Sequence, residues 1–102
     1  MALPVYHTNT NTDAVAVYTV PADKVAAVSV NIAALLANKA KIAITSGAAP
    51  TAANWLETQV AMAVGTVLER TGIVLPAGHK IWITSDVANA VSVQVYGIEE
   101  AA

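Results

Sequence analysis

Between Lys24 and Ala34 the chain reads KVAAVSVNIAA, and its large β-branched residues fall at every second position. Val28, Val30 and Ile32 share one side with Ala26 and Ala34, while Ser29 and Asn31 share the other with Val25, Ala27 and Ala33. Successive side chains on a strand point to opposite sides, so a period of two marks a strand with one buried face. The alanines and leucines of the longer run to Ile44 make a helical hairpin the competing reading. Helix propensity is nevertheless a weak preference that packing overrides. A membrane span does not fit: it needs roughly 20 apolar residues, and Ser29, Asn31, Asn38 and Lys39 interrupt the run. LLANKA is read as a loop that lets KIAIT, Lys41–Thr45, return as the second strand of a pair, with Ile42 and Ile44 inward.

The same count applied elsewhere predicts further strands. In AVAVYTV, Val15, Val17 and Thr19 share a face and Tyr18 takes the other; Pro21 then suits the first central position of a tight turn. SGAAPTAAN is turn chemistry, with Pro50 opening a short helical turn. WLETQVAMAV alternates with Leu56, Thr58, Val60, Met62 and Val64 together, up to Gly65. TVLERTGIVL is extended, with Gly72 marking a bulge or bend. PAGHKIWITSD turns at Pro76–Gly78 and leads into a strand whose Ile81 and Ile83 face inward. In AVSVQVYGI, Val91, Val93 and Val95 oppose Ser92, Gln94 and Tyr96. Seven or eight short strands with regular turn signals read as an all-β fold, an antiparallel β-sandwich of jelly-roll-like or Ig-like type. VPADKVAAVSV and LPAGHKIWITS echo each other, and are read as two equivalent corners of one sandwich. The chain divides into an extended N-terminal arm, residues 1–13, and a single sandwich domain, residues 14–102. Pro4 disfavours helix, and the Asn/Thr run lacks apolar periodicity, so the arm is either disordered or free to add a strand to a neighbour's open edge.

Composition changes the picture in one respect. Charged residues make up 12% of the 102 residues, against about 25% in typical soluble domains. A domain this small leaves much of its surface exposed, and here few charges keep copies apart. That favours a subunit packed against others; the alternative is a monomer with a threonine-rich, low-charge surface. A net charge of −2 gives no basic face for nucleic acid. The first residues lack the basic and apolar regions of a signal peptide, so the protein is expected to be made and used in the cytoplasm, or to leave the cell by a route that needs no signal.

Candidate chemistry is sparse. There is no cysteine, and His7 and His79, read as exposed loop histidines, have no ligand spacing, so no metal and no cofactor is expected. Ser85 and Asp86 follow His79 without a nucleophile elbow, and TSD is read as a turn held by side-chain hydrogen bonds. Glu69 and Arg70 are neighbours on a strand, so each is expected to meet a cross-strand or inter-subunit partner. Glu99 and Glu100 read as a solvated tail. No catalytic residue emerges, and enzymatic activity is not expected. The aromatics say more. If Ile81 and Ile83 fill the core, Trp82 points out, and the same argument turns Tyr18 and Tyr96 outward; Trp55 lies near a turn. Outward Trp and Tyr are favoured contact anchors, although Trp82 packing under a loop of its own domain is an equal reading. The expected interface set is Pro4, Val5, Tyr6, Tyr18, Trp55, Trp82 and Tyr96.

Taken together, YTVPADKVAAVSVNI, KIAITSGAAPTAANWLE, VLERTGIVLPAGHKIWI and VSVQVYGIEE resemble small virion proteins of tailed bacteriophages over residues 14–100. The shared pattern is a Val-Pro-Ala-Gly corner, a strand, a variable loop, an LERTG–hydrophobic–PAG corner and a closing strand ending in YG and acidic residues. The chain departs from it with Asp23 where glycine is usual and with an alanine-rich first loop. The resemblance implies a non-catalytic β-sandwich subunit of a virion. The leading expectation is a capsid decoration (cement) protein, a homotrimer bridging subunits of the major capsid protein, with no nucleic-acid or membrane partner. A tail or fibre module and a glycan-binding sandwich using Trp82 or Trp55 are the rivals.

Overall fold

The computed structural model describes residues 3–51 and 54–101, with all their side chains except those of residues 56–59. Its strands are β1 (Val5–Thr8), β2 (Val15–Thr19), β3 (Lys24–Ala34), β4 (Asn38–Thr45), β5 (Trp55–Met62), β6 (Val67–Leu75), β7 (Lys80–Ser85) and β8 (Val91–Ala101). They form two four-stranded sheets, β1-β8-β3-β6 and β2-β7-β4-β5, with every pairing antiparallel. Four of the pairings are nested: β1 with β8, β2 with β7, β3 with β6, β4 with β5. That is one long antiparallel ribbon folded over into two layers, the eight-stranded jelly roll. The expected all-β sandwich is therefore present, in its jelly-roll form.

The alternation that predicts β3 fills the space between the sheets. Val28, Val30 and Ile32 meet Val91, Val93 and Val95 of β8 and, from the other layer, Ile42, Ile81 and Ile83, all essentially without solvent contact. Burying a side chain of this size stabilises the fold by about 1.5–3 kcal/mol. Aliphatic residues thus supply nearly the whole core. Gly97 occurs where β8 runs closest to β3: a Cβ there would strike the Ala27 carbonyl oxygen and lie 2.8 Å from Val28 Cα. The bulge expected at Gly72 is also found. Val28 pairs with Ile73 and Val30 with Arg70, so Thr71 and Gly72 together face Ser29, and Gly72 takes φ +71°, which costs glycine little.

Several expectations need correction. β3 and KIAIT do not pair; they lie in different sheets, and residues 35–37 cross between the layers. Alternation reveals which face of a strand is buried, and both strands do bury one, but it does not reveal the neighbour. Tyr18 points inward and is 3% exposed. A register shift between Ala16 and Tyr18 inserts Val17 as an extra residue, so Tyr18 pairs with Ile81 on the core-facing side. Val64 does not continue the face of Met62, because β5 stops at Met62 and Val64 stands in the following turn. In the first corner the Lys24 N–H donates to the Pro21 carbonyl, so Pro21 opens the turn instead of taking its first central position. The second corner repeats this with His79 and Pro76, and the two are joined by Val20 N–H to His79 O and Gly78 N–H to Val20 O. They are equivalent corners, with Asp23 (φ 67°) standing where the other has Gly78 (φ 81°). Of the helical turn expected after Pro50, the described part is the Asn54 N–H bond to Thr51 O; Ala52 and Ala53 lie outside the described residues.

Residues 5–8, within the segment expected to form an arm, pair with β8 of the same chain from Val5–Val95 to Thr8–Ser92. Asn9 locks this edge. Its buried side chain accepts from the Ala90 and Val91 N–H groups, both at 2.9 Å, and donates to Val87 O at 2.8 Å.

Candidate interaction surfaces

The jelly roll has two outer faces and two ends, and the candidate residues are distributed among them. On the outer face of the β1-β8-β3-β6 sheet, strand register sets side chains in rows. Ala27 has Ile98 beside it on β8 and Val74 on β6; Asn31 has Gln94 and Glu69; Ala33 has Ser92 and Val67. Ile98 and Val74 are 58% and 66% exposed. Tyr6 and Tyr96 stand on the same face; Tyr6 is opposite Gln94, two residues from Tyr96 along β8. Tyr96 donates to Glu69 Oε2 at 2.6 Å across β3, and this bond is the main influence raising its pKa. The expected cross-strand partner of Glu69 is thus Tyr96.

The outer face of the β2-β7-β4-β5 sheet differs. It carries Lys39, Lys41 and Lys80, and its central Ala43 is buried although it points outward. Ala43 is flanked by Trp82 on β7 and Trp55 on β5. Trp82 is half-buried and donates from Nε1 to Thr45 Oγ1 at 2.9 Å. Trp55 is half-buried too, with the Lys41 ammonium 5.1 Å from its ring centroid. Trp82 thus points away from the core, as the alternation with Ile81 and Ile83 predicts, and both indoles lie along the outer face of their own sheet.

At one end of the sandwich the loops 35–37, 63–66 and 86–90 meet. Leu35 and Leu36 N–H groups bond to Ala90 O, and Gly65 N–H bonds to Ala34 O. Leu35, Leu36 and Val64 are all exposed there. A shallow groove of about 480 Å³ adjoins them, with Ala37, Ala61, Met62 and Ala63 as its apolar wall and Lys39 and Asp86 beside it. Ser85 and Asp86 hold this end as turn residues: Ser85 Oγ donates to buried Asn38 and accepts from Val87 N–H, and Asp86 accepts from Lys39 N–H at 2.7 Å. His79 lies at the opposite end of β7 from Asp86, so the three do not assemble.

Of the expected interface residues, Pro4, Tyr6 and Tyr96 are exposed, Val5 is half-buried against the core, Trp55 and Trp82 share the opposite face, and Tyr18 is internal. His7 and His79 are half-buried, not exposed; His7 Nε2 and His79 Nδ1 are buried without a hydrogen-bond partner. Glu99 and Glu100 belong to β8, and Glu99 accepts the Tyr18 hydroxyl at 2.5 Å. Sequence reasoning missed Leu35, Leu36, Val64, Val74 and Ile98; for the last two, the out-facing positions of an alternating strand carried the signal. Among the described residues no group of three or more His, Asp or Glu side chains is placed to hold a metal ion, and no helix is long and apolar enough to cross a membrane. No family model matches this chain, and no match was found among curated proteins.

Proposed function

We propose that this chain is a non-catalytic structural subunit of a bacteriophage virion, a decoration protein that docks on the assembled head lattice. One observation carries the reading: a small, weakly charged sandwich exposes large aliphatic residues on two surfaces, the outer face with Val67, Val74 and Ile98 and the loop end with Leu35, Leu36 and Val64. A subunit with one partner needs one such surface, whereas a subunit that bridges a lattice needs two. The jelly-roll scaffold and the motif resemblance over residues 14–100 support the same reading. We assign lattice docking to the loop end, where three apolar side chains project beside a groove.

Burying one leucine contributes about 1.5–3 kcal/mol, while association costs about 4–15 kcal/mol in lost freedom. A single docking event is therefore weak. Many copies on a lattice still stabilise it, because a protein that binds only the assembled state shifts the equilibrium toward it by mass action.

The test adds purified protein to heads of the phage that encodes it, stripped of this protein, and measures gel-band stoichiometry against the major capsid protein. Saturation at hundreds of copies per head is expected for a decoration protein; saturation at a few or at tens places the subunit in the tail or fibre. Leu35→Asp/Leu36→Asp, with its unfolding transition unchanged, is expected to lower occupancy at least tenfold. Failure of the wild-type protein to bind heads rejects the proposal.

A further inference from the structure

The outer face of the β1-β8-β3-β6 sheet has an internal symmetry that identifies its partner. Along β3 the out-facing residues are small or short: Ala27, Ser29, Asn31 and Ala33. The large side chains stand to either side, Ile98 on β8 and Val74 on β6, both in register with Ala27. In the next row but one, Asn31 is flanked by Gln94 on the β8 side and Glu69 on the β6 side. A two-fold axis running along β3 exchanges the two sides. It sets Ile98 of one copy over Val74 of the other, and Glu69 over Gln94, so no carboxylate meets its own image.

We propose that this face is covered by the same face of a second copy of the chain, related by that two-fold axis. Sheets packed face to face lie about 10 Å apart, a gap that alanine and serine on β3 leave open and that Ile98, Val74 and Tyr96 fill. On this axis β8, β3 and β6 of one copy lie over β6, β3 and β8 of the other, and β1 overhangs. β3 and β8 are each 11 residues long, so three strands at ordinary spacing give a covered patch of roughly 450 Å² on each copy. The two patches together bury about 900 Å², the size of a weak, transient interface. The opposite face fits this role less well, since it carries Lys39, Lys41 and Lys80 and its centre is already covered by Trp55 and Trp82. Of the two carboxylates on the proposed face, Glu69 already accepts from Tyr96, and Glu100, beside Val25, stands at the end of the sheet.

The pairing deepens the assembly reading, but its test is run on the isolated protein and needs no capsid. Sedimentation velocity from about 1 to about 200 micromolar is expected to show a monomer–dimer equilibrium with a micromolar Kd, as suits an interface of this size. Val74→Glu/Ile98→Glu is expected to weaken it at least a hundredfold with the unfolding midpoint unchanged, and Leu35→Asp/Leu36→Asp is expected to leave it intact. The chain has no cysteine, which allows a sharper measurement: Ile98→Cys and Val74→Cys variants are mixed and joined by a short bis-maleimide. Mixed crosslinks are expected to exceed both self-crosslinks. A monomeric wild type, a trimer, or predominant self-crosslinking overturns the inference. If the wild type is monomeric and the double Glu variant loses head binding, this face docks on the lattice instead, and the decoration reading survives without the pairing.

Discussion

Tyr18 joins the two sheets through one side chain, its ring in the core and its hydroxyl on Glu99 of β8. Burial chiefly, and Glu99 secondarily, raise its pKa above the ordinary 10.0. Above that pH the unfolded chain releases this proton while the folded chain keeps it, so the contribution is complete below pH 10 and declines as pH rises. We expect Tyr18→Phe to cost about 1 kcal/mol near neutral pH and to flatten the fall of stability above pH 10. Thermal unfolding of both proteins between pH 7 and about 11 checks this; equal slopes would show that the phenol titrates alike in both states. This residue also marks a limit of pattern reading. The bulge at Val17 carries no glycine or proline, so nothing in AVAVYTV distinguishes it from regular alternation, and the bulge reverses the side on which Tyr18 emerges.

At the scale of elements, the legible strands are those that bury alternate residues over a run of five or more positions. β3, β7 and the first half of β8 alternate because their inward sides fill the core and their outward sides do not. β1 is different: four residues at a sheet edge, too short to show a period. What secures it is Asn9, hidden in an Asn/Thr run that reads as loop. Asn9→Ala would leave the buried Ala90 and Val91 N–H groups without their side-chain acceptor and Val87 O without its donor. Each unsatisfied buried group costs about 1–3 kcal/mol, so a loss of about 2–4 kcal/mol is expected, measured by urea unfolding. Faster hydrogen exchange at Ala90 and Val91 should accompany it. A loss under about 0.5 kcal/mol would mean that water replaces the amide without penalty.

For the whole molecule, the class of fold is legible in the alternation of the chain, and the order of strands is not. Alternation is a local signal, whereas the jelly roll is defined by partners far apart, such as Val5 with Val95. The candidate surfaces were legible only in part for the same reason: Ile98 and Val74 become neighbours through Ala27, and Leu35 and Val64 through the Ala34–Gly65 bond. Nested long-range pairing also sets the folding rate. Loop-closure entropy must be overcome before most contacts form, which places all-β sandwiches in the millisecond-to-second range. Stopped-flow fluorescence from Trp55 and Trp82 is expected to show refolding on that scale, and a submillisecond phase carrying the full amplitude would contradict it.

The direction in which β3 and β8 run has a practical consequence. Leu3, just before β1, and Ala101, paired with Lys24, both lie toward the Pro21 and Pro76 corners, while Leu35, Leu36 and Val64 occupy the far end, in a molecule 39 Å along its longest axis. A peptide or domain joined at either side of the described chain would therefore start from the pole opposite those leucines. If the loop end docks on a shell as proposed, such fusions would point outward, away from it, which would make this sandwich a scaffold for displaying foreign sequences.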